Sequence, residues 1–199
     1  MKKVFPALEY MNTPNLITTL GLALGVTACY YLTESNLKSI VLCLFIASFL
    51  DFLDGFVAMK TDCRTNFGQI LDSLVDFFIC CIFPAAAVLV FLDTGVFLVA
   101  AAAFYCACGL WRLAYYHITA TKNREYFTGL PVPGGMLIVI SVLWAALQYE
   151  LPPWVLIAVF TLTGLLMVSY IRIKKYGICQ KTLCVLSLVF TVMVTAIQS

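Results

Sequence analysis

Charge is what this chain has least of. Of its 199 residues only 11% are charged, against 63% hydrophobic, and the mean hydropathy is +1.00. A soluble domain typically carries about 25% charged residues, so this scarcity excludes an ordinary water-soluble fold. A net charge of +2 is too small to argue for nucleic-acid binding. Histidine is nearly missing, with His117 alone. The nine cysteines show no pairing pattern and lack the Cys/His spacing of a zinc site. Cys80–Cys81 and Cys106-x-Cys108 fall inside apolar runs, where a thiol acts as a small hydrophobe. No disulfide framework is expected. Internal repeats, low-complexity tracts and any stretch polar enough for a separate soluble domain are missing too. One membrane domain over residues 1–199 is the expectation.

What the chain does have is apolar length. Seven segments can be read, at roughly 15–32, 39–59, 68–92, 95–117, 133–149, 153–171 and 182–198. Several reach the roughly 20 apolar residues that span a bilayer. An all-α polytopic bundle follows, with a six-helix core and one additional C-terminal span, because helices satisfy their own backbone inside lipid. Pro152-Pro153 and the Asp93-Thr94-Gly95 turn separate neighbouring segments. The first run lacks an A-x-A-like cleavage site and is followed by further spans. A retained helix is expected there, not a signal peptide.

Loop charges orient the bundle. Threading the spans from a cytoplasmic N-terminus places every Lys and Arg except Lys38 on or near the inner side. The outer turns hold Glu34, Asp93 and Glu150. A multi-pass protein of the cytoplasmic membrane is expected, with its inner face basic and able to meet anionic phosphates.

Against this apolar background stand Asp51, Asp54, Asp72 and Asp76. The first two are three residues apart at the end of one segment, and the last two are four apart at the start of the next. Each pair therefore lies on one helical face. An Asp at the centre of a membrane helix costs roughly 2.5–3.5 kcal/mol on insertion scales. Four carboxylates brought together by two adjoining helix ends would repel one another unless cations neutralise them. Hard oxygen ligands suit Mg²⁺, Mn²⁺ or Ca²⁺. Two such ions about 3.5–4 Å apart are a known device for phosphoryl chemistry. Gly55, Ala58 and Gly68 are small and lie on the same two segments, leaving room for a ligand.

The run Asp51-x2-Asp54-Gly55-x2-Ala58-Met59-x8-Gly68-x3-Asp72-x3-Asp76 resembles the signature of the CDP-alcohol phosphotransferase family, D-x2-D-G-x2-A-R-x8-G-x3-D-x3-D. One position departs: Met59 stands where the family has an arginine expected to help hold the CDP diphosphate. Lys60 and Arg64 are nearby, although on a helix Lys60 points about 100° away from position 59. Further stretches are similar to the phosphatidylserine synthase branch. Pro14-Asn15-Leu16-Ile17-Thr18 resembles the P-N-x-x-T opening of the first helix. Arg112-Leu113-Ala114-Tyr115-Tyr116 resembles R-L-A-R-F, with Tyr115 in place of the second arginine. Phe127 to Pro133 resembles F-x-G-L-P-x-P, and Leu166-Met167-Val168-Ser169 resembles L-M-V-S.

The resemblance implies transfer of a phosphatidyl group from CDP-diacylglycerol to L-serine, with release of CMP. It implies two divalent cations, Mg²⁺ or Mn²⁺, held by Asp51, Asp54, Asp72 and Asp76, with Asp76 also the general base for the incoming hydroxyl. Asn15, Thr18, Gly55, Ala58, Lys60, Arg64 and Gly68 become candidates for the CDP-lipid. Arg112, Lys122 and Arg124 become candidates for the acceptor, because a carboxylate is best met by an arginine. The active site is expected to face the cytoplasm, and a homodimer is expected. Three other readings stay open. A different family member would use glycerol 3-phosphate or an inositol phosphate as acceptor. An ion transporter would also carry intramembrane carboxylates. A non-catalytic lipid-binding relative would account for Met59 and Tyr115.

Overall fold

The computed structural model describes residues 6–61, 65–92, 95–119 and 126–174. Along them run a 3-10 turn (Pro6–Tyr10), α1 (Thr13–Thr33), α2 (Leu37–Lys60), α3 (Asn66–Asp76), a π-helical turn (Phe77–Ile82), α4 (Phe83–Phe91), α5 (Val96–Thr119), β1 (Tyr126–Thr128), α6 (Val132–Tyr149), α7 (Pro153–Val168) and β2 (Arg172–Lys174). α3, the π turn and α4 continue as one 26-residue rod.

Polar residues between the apolar runs set where helices begin. Asn12 caps α1 by accepting from the Asn15 N–H at 2.9 Å. Asn36 caps α2 through Ser39 at 3.0 Å, and Thr65 caps α3 through Gly68 at 3.0 Å. Such caps satisfy N–H groups that the first helical turn leaves unpaired. Prolines occupy the first turns of α6 and α7, where a missing N–H costs nothing.

Among the described residues five helical rods are long and apolar enough to cross a membrane: α1, α2, α3–α4, α5 and α6. Their outward faces carry large apolar side chains, among them Leu20, Phe49, Leu74, Val90 and Phe97. The interior uses small residues such as Ala28, Ala47, Cys81, Ala87 and Ala102, which let backbones approach. An apolar exterior over a small-residue interior is the pattern of a multi-pass membrane protein. α1 packs along α2, and α5 packs along α7. The π turn touches α1, α5 and α6, which puts the third rod at the centre.

One boundary needs revision. The sixth apolar segment, read as 153–171, stops as a helix at Val168, and Ser169 is already extended. Its 16 residues reach roughly 24 Å at about 1.5 Å per residue, short of the roughly 30 Å hydrocarbon core. The chain leaves the helix there because its backbone is needed elsewhere. β2 pairs antiparallel with β1, in the register Tyr126↔Lys174, Phe127↔Ile173 and Thr128↔Arg172. This small ribbon is an addition to an otherwise helical architecture. The seventh segment, 182–198, lies outside the described residues.

The central rod explains its own irregularity. Pro84 has no N–H to offer the carbonyl four residues back, that of Cys80. The phenol of Tyr105, on α5, donates to that Cys80 carbonyl at 2.7 Å. The Cys106 thiol donates to the next carbonyl, that of Cys81, at 3.4 Å. α5 thus supplies from outside a donor for the carbonyl that Pro84 cannot serve, one turn after Asp76.

Candidate active site

α2 delivers Asp51 and Asp54, and α3 delivers Asp72 and Asp76. α1 packs against both helices. Carboxylate oxygens of Asp51, Asp72 and Asp76 all lie within 4.8 Å of one another. The fourth aspartate is held differently. Asp54 is buried and accepts a hydrogen bond from the Thr18 hydroxyl of α1. Thr18 also lies 3.1 Å from the Pro14 carbonyl one turn back. The sequence-read quartet is therefore a trio with a tethered neighbour.

The α1 residues expected at the nucleotide end join the helices that carry the aspartates. Besides its capped N–H, Asn15 donates its Nδ2 to the Tyr10 carbonyl at 2.7 Å. Its Oδ1 faces Gly68: a Cβ built on that glycine would sit 2.7 Å from it, so a larger residue there would push the Asn15 amide aside. Tyr10 and Phe67 stack beside this crossing, 4.7 Å apart and nearly parallel. Gly55 is exposed with open space where a side chain would be, Ala58 is half-buried, and Lys60 is exposed near the end of α2.

Arg112 reaches the aspartates from α5. It is only 8% exposed and interacts electrostatically with Asp51, Asp72 and Asp76. Its guanidinium lies 5.7 Å from the centre of the Tyr116 ring. Met59 and Tyr115, where the family pattern has arginines, are 45% and 49% exposed. Arg64, Lys122 and Arg124 lie outside the described residues.

A cleft opens beside the trio, lined in part by Thr18, Asp51, Asp54 and Asp76. Among the further residues that line it are Ser48, Cys80 and Pro133, all outside the aspartate motif. Helical spacing could have found two of them. Ser48 precedes Asp51 by three residues, and Cys80 follows Asp76 by four. The Cys80 thiol lies 3.8 Å from Asp76 Oδ1. Pro133 closes the F-x-G-L-P-x-P-like stretch, but its place on the cleft was not legible, since the loop clasp that brings it there is tertiary. The Gly129 N–H donates to the Ile171 carbonyl at 2.8 Å, and the Leu130 N–H to the Leu166 carbonyl at 3.0 Å. Gly129 has φ +76°, and a Cβ there would lie 2.0 Å from the Met167 carbonyl oxygen. The G-L-P-x-P-like and L-M-V-S-like stretches are thus two halves of one contact.

The donor set fits hard cations. Three half-buried carboxylates converge with buried Asp54 alongside, and one arginine does not neutralise them. Fold and site together define a polytopic membrane protein with a carboxylate centre suited to divalent metal. A sequence model of the family described as CDP-alcohol phosphatidyltransferase matches residues 11–193, and this chain belongs to that family. It is similar to the CDP-diacylglycerol–serine O-phosphatidyltransferase of Methanocaldococcus jannaschii, 33% identical over 159 residues, which cover 76% of this chain and 75% of that one. The Bacillus subtilis protein of the same name is 35% identical over 130 residues, 64% of this chain and 73% of that one. A CDP-diacylglycerol–glycerol-3-phosphate 3-phosphatidyltransferase of Aquifex aeolicus is 48% identical over 67 residues, 33% of this chain and 37% of that one.

Proposed function

We propose that this protein transfers the phosphatidyl group of CDP-diacylglycerol to L-serine and releases CMP. The observation that carries the chemistry is the convergence of Asp51, Asp72 and Asp76 within 4.8 Å, with Arg112 buried beside them. Asp51, Asp72 and Asp76 would hold two divalent cations, Mg²⁺ or Mn²⁺, with Asp54 as the fourth carboxylate. Such ions supply neutralisation of the diphosphate oxygens and of the departing CMP. Asp76 takes the proton of the serine hydroxyl. The serine oxygen forms its bond to the phosphatidyl phosphorus as the bond from that phosphorus to the CMP oxygen breaks. Arg112 pairs with the serine carboxylate, a match its two-pronged guanidinium suits. Gly55, Ala58 and Lys60, toward the open end of α2, receive the nucleotide and diphosphate. The distribution of Lys and Arg favours a cytoplasmic-facing site in the cell membrane.

Serine is favoured over glycerol 3-phosphate by the names of the relatives that match over most of the chain. The acceptor side supports the same choice. Among the described residues Arg112 is the basic side chain against the trio, which suits one carboxylate better than a dianionic phosphate. The test is CMP release by purified protein given CDP-diacylglycerol, Mn²⁺ or Mg²⁺, and a panel of acceptors. Serine-dependent release that disappears in Asp76→Asn is the expected result. Release with glycerol 3-phosphate alone would reassign the acceptor. Nucleotide binding without turnover for any acceptor would make the protein a non-catalytic relative.

A further inference from the structure

Hydroxyls inside membrane helices normally bond the carbonyl one turn back. Thr19, Thr27, Thr61, Thr119 and Thr161 do so here, at 2.7–2.9 Å. Ser48 of α2 does not. Its Oγ is shielded, yet it has no hydrogen-bond partner among the described residues. A buried hydroxyl left this way is costly, and the remedy of bonding the carbonyl of Leu44 is one rotamer away. Instead Ser48 lines the cleft it shares with Asp51, Asp76 and Pro133. Three residues before Asp51, it stands on the same face of α2. Thr18, the other hydroxyl on this cleft, is already engaged by Asp54. The wall around Ser48 is otherwise apolar, made by Ala47, Val75 and Ile79.

We infer that the Ser48 hydroxyl is the positioning residue for the acceptor's ammonium group, a role that rests on the amino-acid acceptor proposed above. The Ser48 oxygen, unpartnered among the described residues and facing the cleft beside Asp76, accepts one N–H bond of that ammonium. The acceptor is then held at three points: its carboxylate at Arg112, its hydroxyl at Asp76 and its ammonium at Ser48. Three-point attachment fixes which hydroxyl orientation reaches the phosphorus, and it selects against alcohols that lack the amine.

The test compares L-serine with 3-hydroxypropanoate, which keeps the hydroxyl and carboxylate but has no ammonium, in unaltered protein, Ser48→Ala and Ser48→Thr. In Ser48→Ala the KM for L-serine should rise about tenfold, the equivalent of roughly 1.4 kcal/mol. The KM for CDP-diacylglycerol should stay fixed, and the preference for serine over 3-hydroxypropanoate should shrink by the same factor. Ser48→Thr, which keeps the hydroxyl, should restore both. Ser48→Cys, close in size but a weak acceptor, serves if the alanine variant does not fold, with the same KM shift expected. An unchanged serine KM in a folded, active Ser48→Ala protein overturns the inference and leaves the serine reading intact. A shift confined to the Mn²⁺ concentration for half-activation overturns it too, by placing the hydroxyl on the metal side. If unaltered protein uses glycerol 3-phosphate and not serine, the acceptor reading itself fails first.

Discussion

Arg112 shows how much one residue's neighbours decide. On a membrane helix, a buried guanidinium needs a partner, and the trio of Asp51, Asp72 and Asp76 is beside it. Arg112→Lys keeps the charge but loses the planar fork. The KM for serine should therefore rise about 10- to 100-fold with CDP-diacylglycerol KM little changed, the size expected when a paired charge loses roughly 1.4–2.8 kcal/mol. An equal rise in both constants would mean that Arg112 serves the donor instead. Chelation of divalent ions should abolish CMP release, and added Mn²⁺ or Mg²⁺ should restore it. Activity that survives chelation would remove the trio's assigned role. Met59→Arg returns the missing family arginine to a half-exposed position on α2. CDP-diacylglycerol binding should tighten, and an unmoved affinity would mean another cation already holds the diphosphate. The aspartates were legible because spacings of three and four put carboxylates on one face whatever surrounds them. Asp54's attachment to Thr18 was not, since it joins α1 to α2 across 36 positions of sequence.

Within the third rod, a proline and a phenol act as one device. Pro84 withholds a hydrogen bond from the Cys80 carbonyl, and Tyr105 provides one from α5. Tyr105→Phe preserves the ring, which packs against Phe160 at 5.4 Å, and deletes only the donor. The buried carbonyl is then left unmet, at a cost of about 1–3 kcal/mol. A lower melting temperature in detergent is expected, with catalysis near normal at low temperature. An unchanged melting temperature would show that the turn accommodates Pro84 unaided. The proline itself was visible in the sequence. That its effect would be a π turn (not a kink) was not, because the answer depends on a tyrosine 21 residues further on. The same limit applies to α7. Hydropathy continues through Tyr170 and Ile171, so composition alone extends the helix, whereas the Ile171 carbonyl accepts from Gly129 and draws the chain out of it.

Across the whole molecule, the clasp between Gly129–Leu130 and the end of α7 ties the start of α6 to the cleft through Pro133. Gly129→Ala forces a side chain into a left-handed backbone and against the Met167 carbonyl. A destabilisation of at least about 1–3 kcal/mol is expected, read as a lower melting temperature with serine turnover falling alongside it. Normal stability would show the clasp to be dispensable. Hydropathy disclosed the class and five of the spanning rods, and the aspartate spacing disclosed the centre. The ribbon and the clasp escaped because both depend on pairing between distant backbone segments. The Thr18–Asp54 bond also bears on how the protein is made. Synthesis runs from the N-terminus, so Thr18 is already in the bilayer when Asp54 arrives, and that carboxylate finds its donor at once. Asp72 and Asp76 emerge before Arg112, so the third rod enters carrying charges whose protein cation is still to be synthesised. The insertion machinery must shelter that rod until the fourth follows. Truncation after Phe91 should leave the first two spans inserted and the third poorly retained, measurable by glycosylation mapping of the nascent chain.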